Sequence, residues 1–119
     1  MTYSKTSFKL ATLVLALSCA SIAMADNCGE TPQPPEVIDG ATATMDALVA
    51  NSESVKTFIS DADKYLDCRE TYQKAKRFEK MSEDDKNAYM AETKVVLEQR
   101  NDIGDKFNAE VAAYKQANP

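Results

Sequence analysis

The stretch Lys74-Ala75-Lys76-Arg77-Phe78-Glu79-Lys80-Met81-Ser82-Glu83-Asp84-Asp85 changes the sign of its charge at Ser82. Basic residues suit the closing turns of a helix, and acidic residues suit an opening turn, because the helix dipole is negative at one end and positive at the other. A serine followed by three acids is also an N-cap signature. Its hydroxyl accepts from the exposed amides, and Asp85 can complete a weak capping box. The stretch therefore predicts that one helix ends near Lys80 and another starts near Glu83. A connection of one or two residues forces the two helices antiparallel.

Outward from this joint the composition is helical. Thr44 to Asn118 holds no proline and a single glycine, Gly104. Helix one is expected over about 44–80 and helix two over about 83–116. Met45, Leu48, Ser52, Val55, Ile59, Ala62, Leu66 and Arg69 follow in steps of three and four. So do Tyr89, Thr93, Val96, Arg100, Ile103 and Phe107. That alternation is the seam of a coiled-coil-like pair. Folding about residues 81–82 sets Ile59 opposite Phe107, Ala62 opposite Ile103, Leu66 opposite Arg100 and Val55 opposite Val111. The fold class is thus all-α, an antiparallel two-helix hairpin.

Before the hairpin, residues 26–43 carry Pro32, Pro34 and Pro35 with Gly29 and Gly40. Proline at that density excludes helix and favours an extended arm. Earlier still, residues 1–25 read as a secretory signal peptide. Lys5 and Lys9 precede an apolar run from Leu10 to Leu17, and Ala23-Met24-Ala25 supplies a small-x-small cleavage site. The run is short for a membrane-spanning helix, so cleavage after Ala25 and a periplasmic or secreted protein are expected, with no stable membrane insertion. An uncleaved anchor and a lipoprotein processed at Cys19 are the alternatives.

Cleavage removes two lysines and no acid, which takes the 14 basic residues to 12 against 19 acidic, a net charge of −7. That charge disfavours nucleic acid, whose recognition needs clustered Lys and Arg. Cleavage also leaves two of the three cysteines, Cys28 and Cys68. An even pair in an oxidising compartment reads as one disulfide. Cys68 lies between Tyr65 and Tyr72, and Phe58, Tyr65 and Tyr72 recur every seven residues beside the seam. The bridge would lay the arm over this aromatic stripe. From Cys68 back to Thr44 is about 36 Å of helix, and from Cys28 to Thr44 up to about 50 Å of polyproline chain. Pro34 and Pro35 are then expected near Phe58, and Val37 and Ile38 near Leu48 and Val49. If the arm left Phe58, Tyr65 and Tyr72 bare, they would form the candidate interaction surface.

Little in the chain promises chemistry. No histidine is present, which removes the usual general base and the commonest metal ligand. Cys28 and Cys68 lack the close spacing of a redox pair. Glu83-Asp84-Asp85 lacks the alternating ligands and the glycine of a calcium loop. Asp61, Asp63 and Asp67 near Lys64, Glu70 with Lys74, and Glu98 with Asp102 read as solvated helix charges. Arg100 on the seam is expected to lie along the interface with its head towards Asp67 or Glu70. For Gly104 two readings stand, a glycine that leaves room for the arm or eases a bend, or a tolerated helix glycine. No catalytic residue, metal or cofactor is assigned, and an enzyme is not expected. The expected function is binding or scaffolding through an unknown protein partner or self-association. The alternative is carriage of a small apolar ligand in the groove under the arm.

Ile38-Asp39-Gly40-Ala41-Thr42-Ala43-Thr44, Val55-Lys56-Thr57-Phe58, Tyr65-Leu66-Asp67-Cys68 and the run from Phe107 to Lys115 resemble a family of small uncharacterised secreted proteins of proteobacteria. The resemblance spans nearly all of residues 26–119. It implies a Gram-negative periplasmic or secreted setting and attaches no activity.

Overall fold

A computed structural model describes residues 26–119, so the expected signal peptide, its cleavage site and Cys19 lie outside the described residues. Thr44 stands in extended conformation, and its hydroxyl accepts from the Ala47 amide at 3.2 Å, which opens α1, Met45–Gln73. Ser82 does the same for Asp85 at 3.1 Å and opens α3, Glu83–Ala117, with three acids in its first turn. Both helix starts fall where the sequence placed them. The described residues are all helical or irregular, with no strand, and fit a helical hairpin.

Helix one does not run unbroken to Lys80. It closes at Gln73 with no basic residue in its last turn, Ala75 turns extended, and a single turn, α2, follows over Lys76–Glu79. The cause is packing. At about 100° per residue, a continuous helix would point Phe78 nearly opposite to Arg69 and into water. The break swings its ring back to within 6.2 Å of Tyr72 and 5.5 Å of Tyr89, both edge-on. Shielding part of the phenyl ring costs few hydrogen bonds, because the Lys74 and Ala75 amides still donate to the Thr71 and Tyr72 carbonyls.

The helix contacts descend α1 as they climb α3. Arg69 meets Thr93, Asp63 meets Arg100, and the Ile59 side chain approaches Gly104. Arg100 therefore sits opposite Asp63, where Leu66 was expected. Leu48, Val55, Phe58, Ala62 and Tyr65 from α1 are buried with Tyr89, Val96 and Ile103 from α3. Ile59, Leu66 and Phe107 are only partly buried, and Met45 is 55% exposed, so the outer half of the expected seam is not closed.

The arm closes the other half. Cys28 and Cys68, 40 residues apart, are joined by a disulfide with their Cα atoms 5.6 Å apart. Left-handed backbone at Asn27 and Gly29 turns the chain on either side of Cys28. From there the arm runs back along α1. Thr31 hydrogen-bonds the Tyr65 hydroxyl at 3.3 Å, and the Asn51 amide donates to the Glu36 carbonyl at 2.8 Å. The Ile38 amide donates to Asn51 Oδ1 at 3.3 Å. The Gly40 amide then reaches across to Glu110 Oε2 at 2.7 Å. Pro35 and Phe58 share one cleft, and Val37 packs on the core. Val49 stays outside the arm at 54% exposed, contrary to the expected contact with Val37 and Ile38.

Candidate functional site

Phe58 and Tyr65 are each 5% exposed, and Tyr72 is half-buried. Phe58 and Tyr65 are thus covered and offer no free surface, whereas Tyr72 packs on Phe78 and Tyr89 and lines a small cleft beside Asp26 and Cys68. Two other places hold unusual chemistry, the surroundings of Arg69 and the groove on the far side of the hairpin.

Arg69 is the one buried charged residue among the described residues, at 2% exposed. Its Nε donates to Thr93 Oγ1 at 2.9 Å. One terminal nitrogen donates to the Tyr65 hydroxyl at 3.0 Å and Asp26 Oδ2 at 3.3 Å. The other donates to the Tyr89 carbonyl at 2.7 Å and Glu92 Oε2 at 3.3 Å. All five guanidinium hydrogens thus have an acceptor. The cation also lies 3.5 Å from the centroid of the Tyr89 ring, a cation–π contact strengthened by the exclusion of water. The Tyr89 hydroxyl donates to Asp26 Oδ2 at 3.1 Å. Burial pushes this phenol far above its ordinary range, Arg69 pulls it back only partly, and the hydrogen bond to Asp26 adds to the rise. It stays protonated and keeps donating. Every guanidinium donor is thus engaged within the fold. The cluster fastens the beginning of the arm to both helices.

Sequence reasoning placed Arg69 on the seam and Asp26 at the head of the arm without joining them. The available signal was an arginine in the seam series with no nearby acid at a suitable helical spacing, which demands a partner from elsewhere in the chain. Gly40 and Glu110 were missed as well. A Cβ at Gly40 would fall on the Glu110 backbone carbonyl, so only glycine lets the arm approach α3 this closely.

Arg100 does lie along the interface, paired with Asp63 at 2.8 and 3.2 Å rather than with Asp67 or Glu70. The two-pronged guanidinium holds the Asp63 carboxyl below its ordinary value, and the carboxylate raises Arg100 in turn. Glu70 is lowered by its hydrogen bond to Lys74. Asp61 pairs with Lys64, Glu98 with Lys94 and Asp102 with Lys106, all at the surface. Among the described residues no group of three or more His, Cys, Asp or Glu is placed to hold a metal ion. No described helix is long and apolar enough to cross a membrane.

A cleft of about 820 Å³ opens between the arm and α1, with Glu30, Gln33, Glu53, Asp61 and Lys64 on its walls. Pro32, Pro35, Phe58 and Tyr65 line it too, so its walls mix polar and apolar surface. Gly104 gives the arm no room, since it lies on the other side of the hairpin with Ile59 Cδ1 at 3.9 Å from its would-be Cβ.

That other side is open. Ile59, Leu66 and Phe107 are half-buried against the core, and at about 100° per residue the groove they leave on this side is bordered by Met45 and Val49 on α1 and Met90 and Leu97 on α3. Among the described residues, four of the five exposed large hydrophobics, from 47% to 55% exposed, flank this groove. Met45 and Val49 lie towards one end of it and Met90 and Leu97 towards the other, and apolar residues of both helices on one side mark a contact surface more than scattered exposure does. No family model matches the chain, and neither a curated protein nor a solved structure matches it.

Proposed function

We propose that this chain is an exported helical interaction module that acts by binding rather than by catalysis. The observation that carries this is the apolar groove between α1 and α3 on the side away from the arm, flanked by Met45, Val49, Met90 and Leu97. In this reading the helices pair as an antiparallel, coiled-coil-like hairpin. The arm and disulfide fill one groove so that the other is presented rigidly. Cleavage after Ala25 into an oxidising periplasmic or extracellular space agrees with the charged and apolar pattern of residues 1–25 and with the disulfide. Membership of the secreted proteobacterial family belongs to the same proposal. The cleft under the arm has the size of a ligand pocket, but the carboxylates of Glu30, Glu53 and Asp61 on its walls work against an apolar cargo.

Photo-crosslinking residues placed one at a time at Leu97 and Val95 test the reading in the producing cell. Both positions are about half exposed, on opposite flanks of α3. Adducts from position 97 and none from position 95 are expected. Equal yields from both, or none from either, would overturn it.

A further inference from the structure

We infer that the disulfide and the Asp26–Arg69 pair lock the bond before Asp26 against hydrolysis, so that removal of residues 1–25 precedes the fastening of the arm and never follows it. The inference rests on the proposed cleavage after Ala25 and adds its order relative to folding and oxidation.

Asp26 is the first residue beyond that bond, and its side chain is 8% exposed. One carboxylate oxygen accepts from Arg69 at 3.3 Å and from the Tyr89 hydroxyl at 3.1 Å, and the other accepts from the Cys28 amide at 3.0 Å. Asn27 follows in left-handed backbone, with φ 56°, and Cys28 is bridged to Cys68. A cleft that takes up a main chain reads it extended, and proteases act on exposed, loosely held segments. Here the first three positions beyond the bond are in turn buried, bent and bridged, a shape that such a cleft does not accept.

The two fastenings act differently. The ion pair can open, but opening leaves Arg69 buried without its buried counter-charge, so cleavage draws only on a small open population. The bridge sets a limit of reach. Two residues span at most about 7 Å, and the Cα atoms of Cys28 and Cys68 lie 5.6 Å apart. A bridged chain therefore keeps Asp26 against α1 even when the ion pair opens. The steps then run in one order. Water first adds across the Ala25–Asp26 bond, leaving a carboxylate on Ala25 and an ammonium on Asp26. The Asp26 main chain is more exposed than its side chain, so that ammonium stays in water while the side-chain carboxylate docks on Arg69. The Cys28 and Cys68 thiols then give two protons and two electrons to a disulfide-bonded oxidant, which leaves as a dithiol.

The test uses the full-length chain, made unprocessed in a reducing cytoplasm, taken into detergent, oxidised and given signal peptidase, with mass spectrometry of the product. The oxidised chain should be cut after Ala25 at least about a hundredfold more slowly than its Cys68→Ser variant. Adding Arg69→Met to Cys68→Ser should speed the cut further. Both changes leave the sequence around the bond as it is, so the peptidase meets the same substrate. Gly40→Ala loosens the far end of the arm and leaves the bridge in place, so that variant should be cut as slowly as the parent. Equal rates for the oxidised parent and Cys68→Ser would overturn the inference. So would a bridged Gly40→Ala chain cut as fast as Cys68→Ser, since general loosening would then set the rate. Cleavage of every form at another bond, or of none, would overturn the cleavage after Ala25 itself.

Discussion

Arg69 shows how one buried charge can set the placement of a distant segment. A guanidinium at 2% exposure is tolerable only if its partners stay in place. Asp26 supplies the counter-charge that is itself nearly buried, at 8% exposed, whereas Glu92 is 44% exposed and partly solvated. Asp26→Ala should therefore lower the unfolding free energy by about 3 kcal/mol, read from urea midpoints. Adding Arg69→Met to Asp26→Ala should recover part of that loss, because the orphaned cation is gone. If the double variant were no more stable than Asp26→Ala, the ion pair would not be the source. Asp63 makes a smaller, exposed counterpart. Arg100 lowers its carboxyl in the folded chain, so the pair's contribution is fully present above the unfolded value of about 3.9 and is lost as pH falls through the folded value. The side chains are 36% and 49% exposed, which limits the effect to well under about 1 kcal/mol. The urea midpoints of the parent and of Asp63→Asn should differ at neutral pH and converge in acid. Only part of this was legible beforehand. Arg100 stood out as a seam arginine with acids within reach on the facing helix. Arg69 occupied the same kind of position, but its partner Asp26 lies 43 residues away in an arm with no regular structure.

At the scale of the helices, what could be read from sequence was whatever local chemistry decides. Thr44 and Ser82 cap because a hydroxyl beside a free amide needs no help from the rest of the fold. The break at Lys74 and Ala75 left no such trace, with neither glycine nor proline to announce it. It follows from where Phe78 finds Tyr72 and Tyr89, a matter of tertiary packing. The register displaced Arg100 towards Asp63 for the same reason, since the length taken up by α2 is not written in the seam pattern. Gly104 can now be settled by its surroundings. A methyl group there meets only Ile59 Cδ1, at ordinary contact distance, in the middle of a 35-residue helix. Gly104→Ala should stabilise the chain by about 0.5–1 kcal/mol through the lost freedom of the unfolded backbone, visible as a higher melting temperature. A decrease would mean that α3 uses the glycine for a bend.

Across the whole molecule the arm behaves as a strap with a clasp at each end. The disulfide and the Asp26–Arg69 pair close one end, and the Gly40–Glu110 contact closes the other. In between, the strap adds only modest bonds at Thr31 and Asn51. Replacing both Cys28 and Cys68 by serine should cost about 4 kcal/mol, because the unfolded chain regains the freedom of a 40-residue loop. Gly40→Ala should cost about 1–3 kcal/mol, since the new methyl group pushes the arm off the Glu110 carbonyl. If the arm is held as one unit, the two losses are not independent. Once either clasp is open, the ordering of the strap must be sustained by the other alone, and a detached strap makes the second substitution nearly silent. The combined variant should then lose less than the sum of the separate losses. Proteolytic cleavage within residues 30–39 should rise in step with that loss. Additivity to within about 0.5 kcal/mol would instead mean that the two ends are held separately, so that opening one leaves Phe58 and Tyr65 covered by the other.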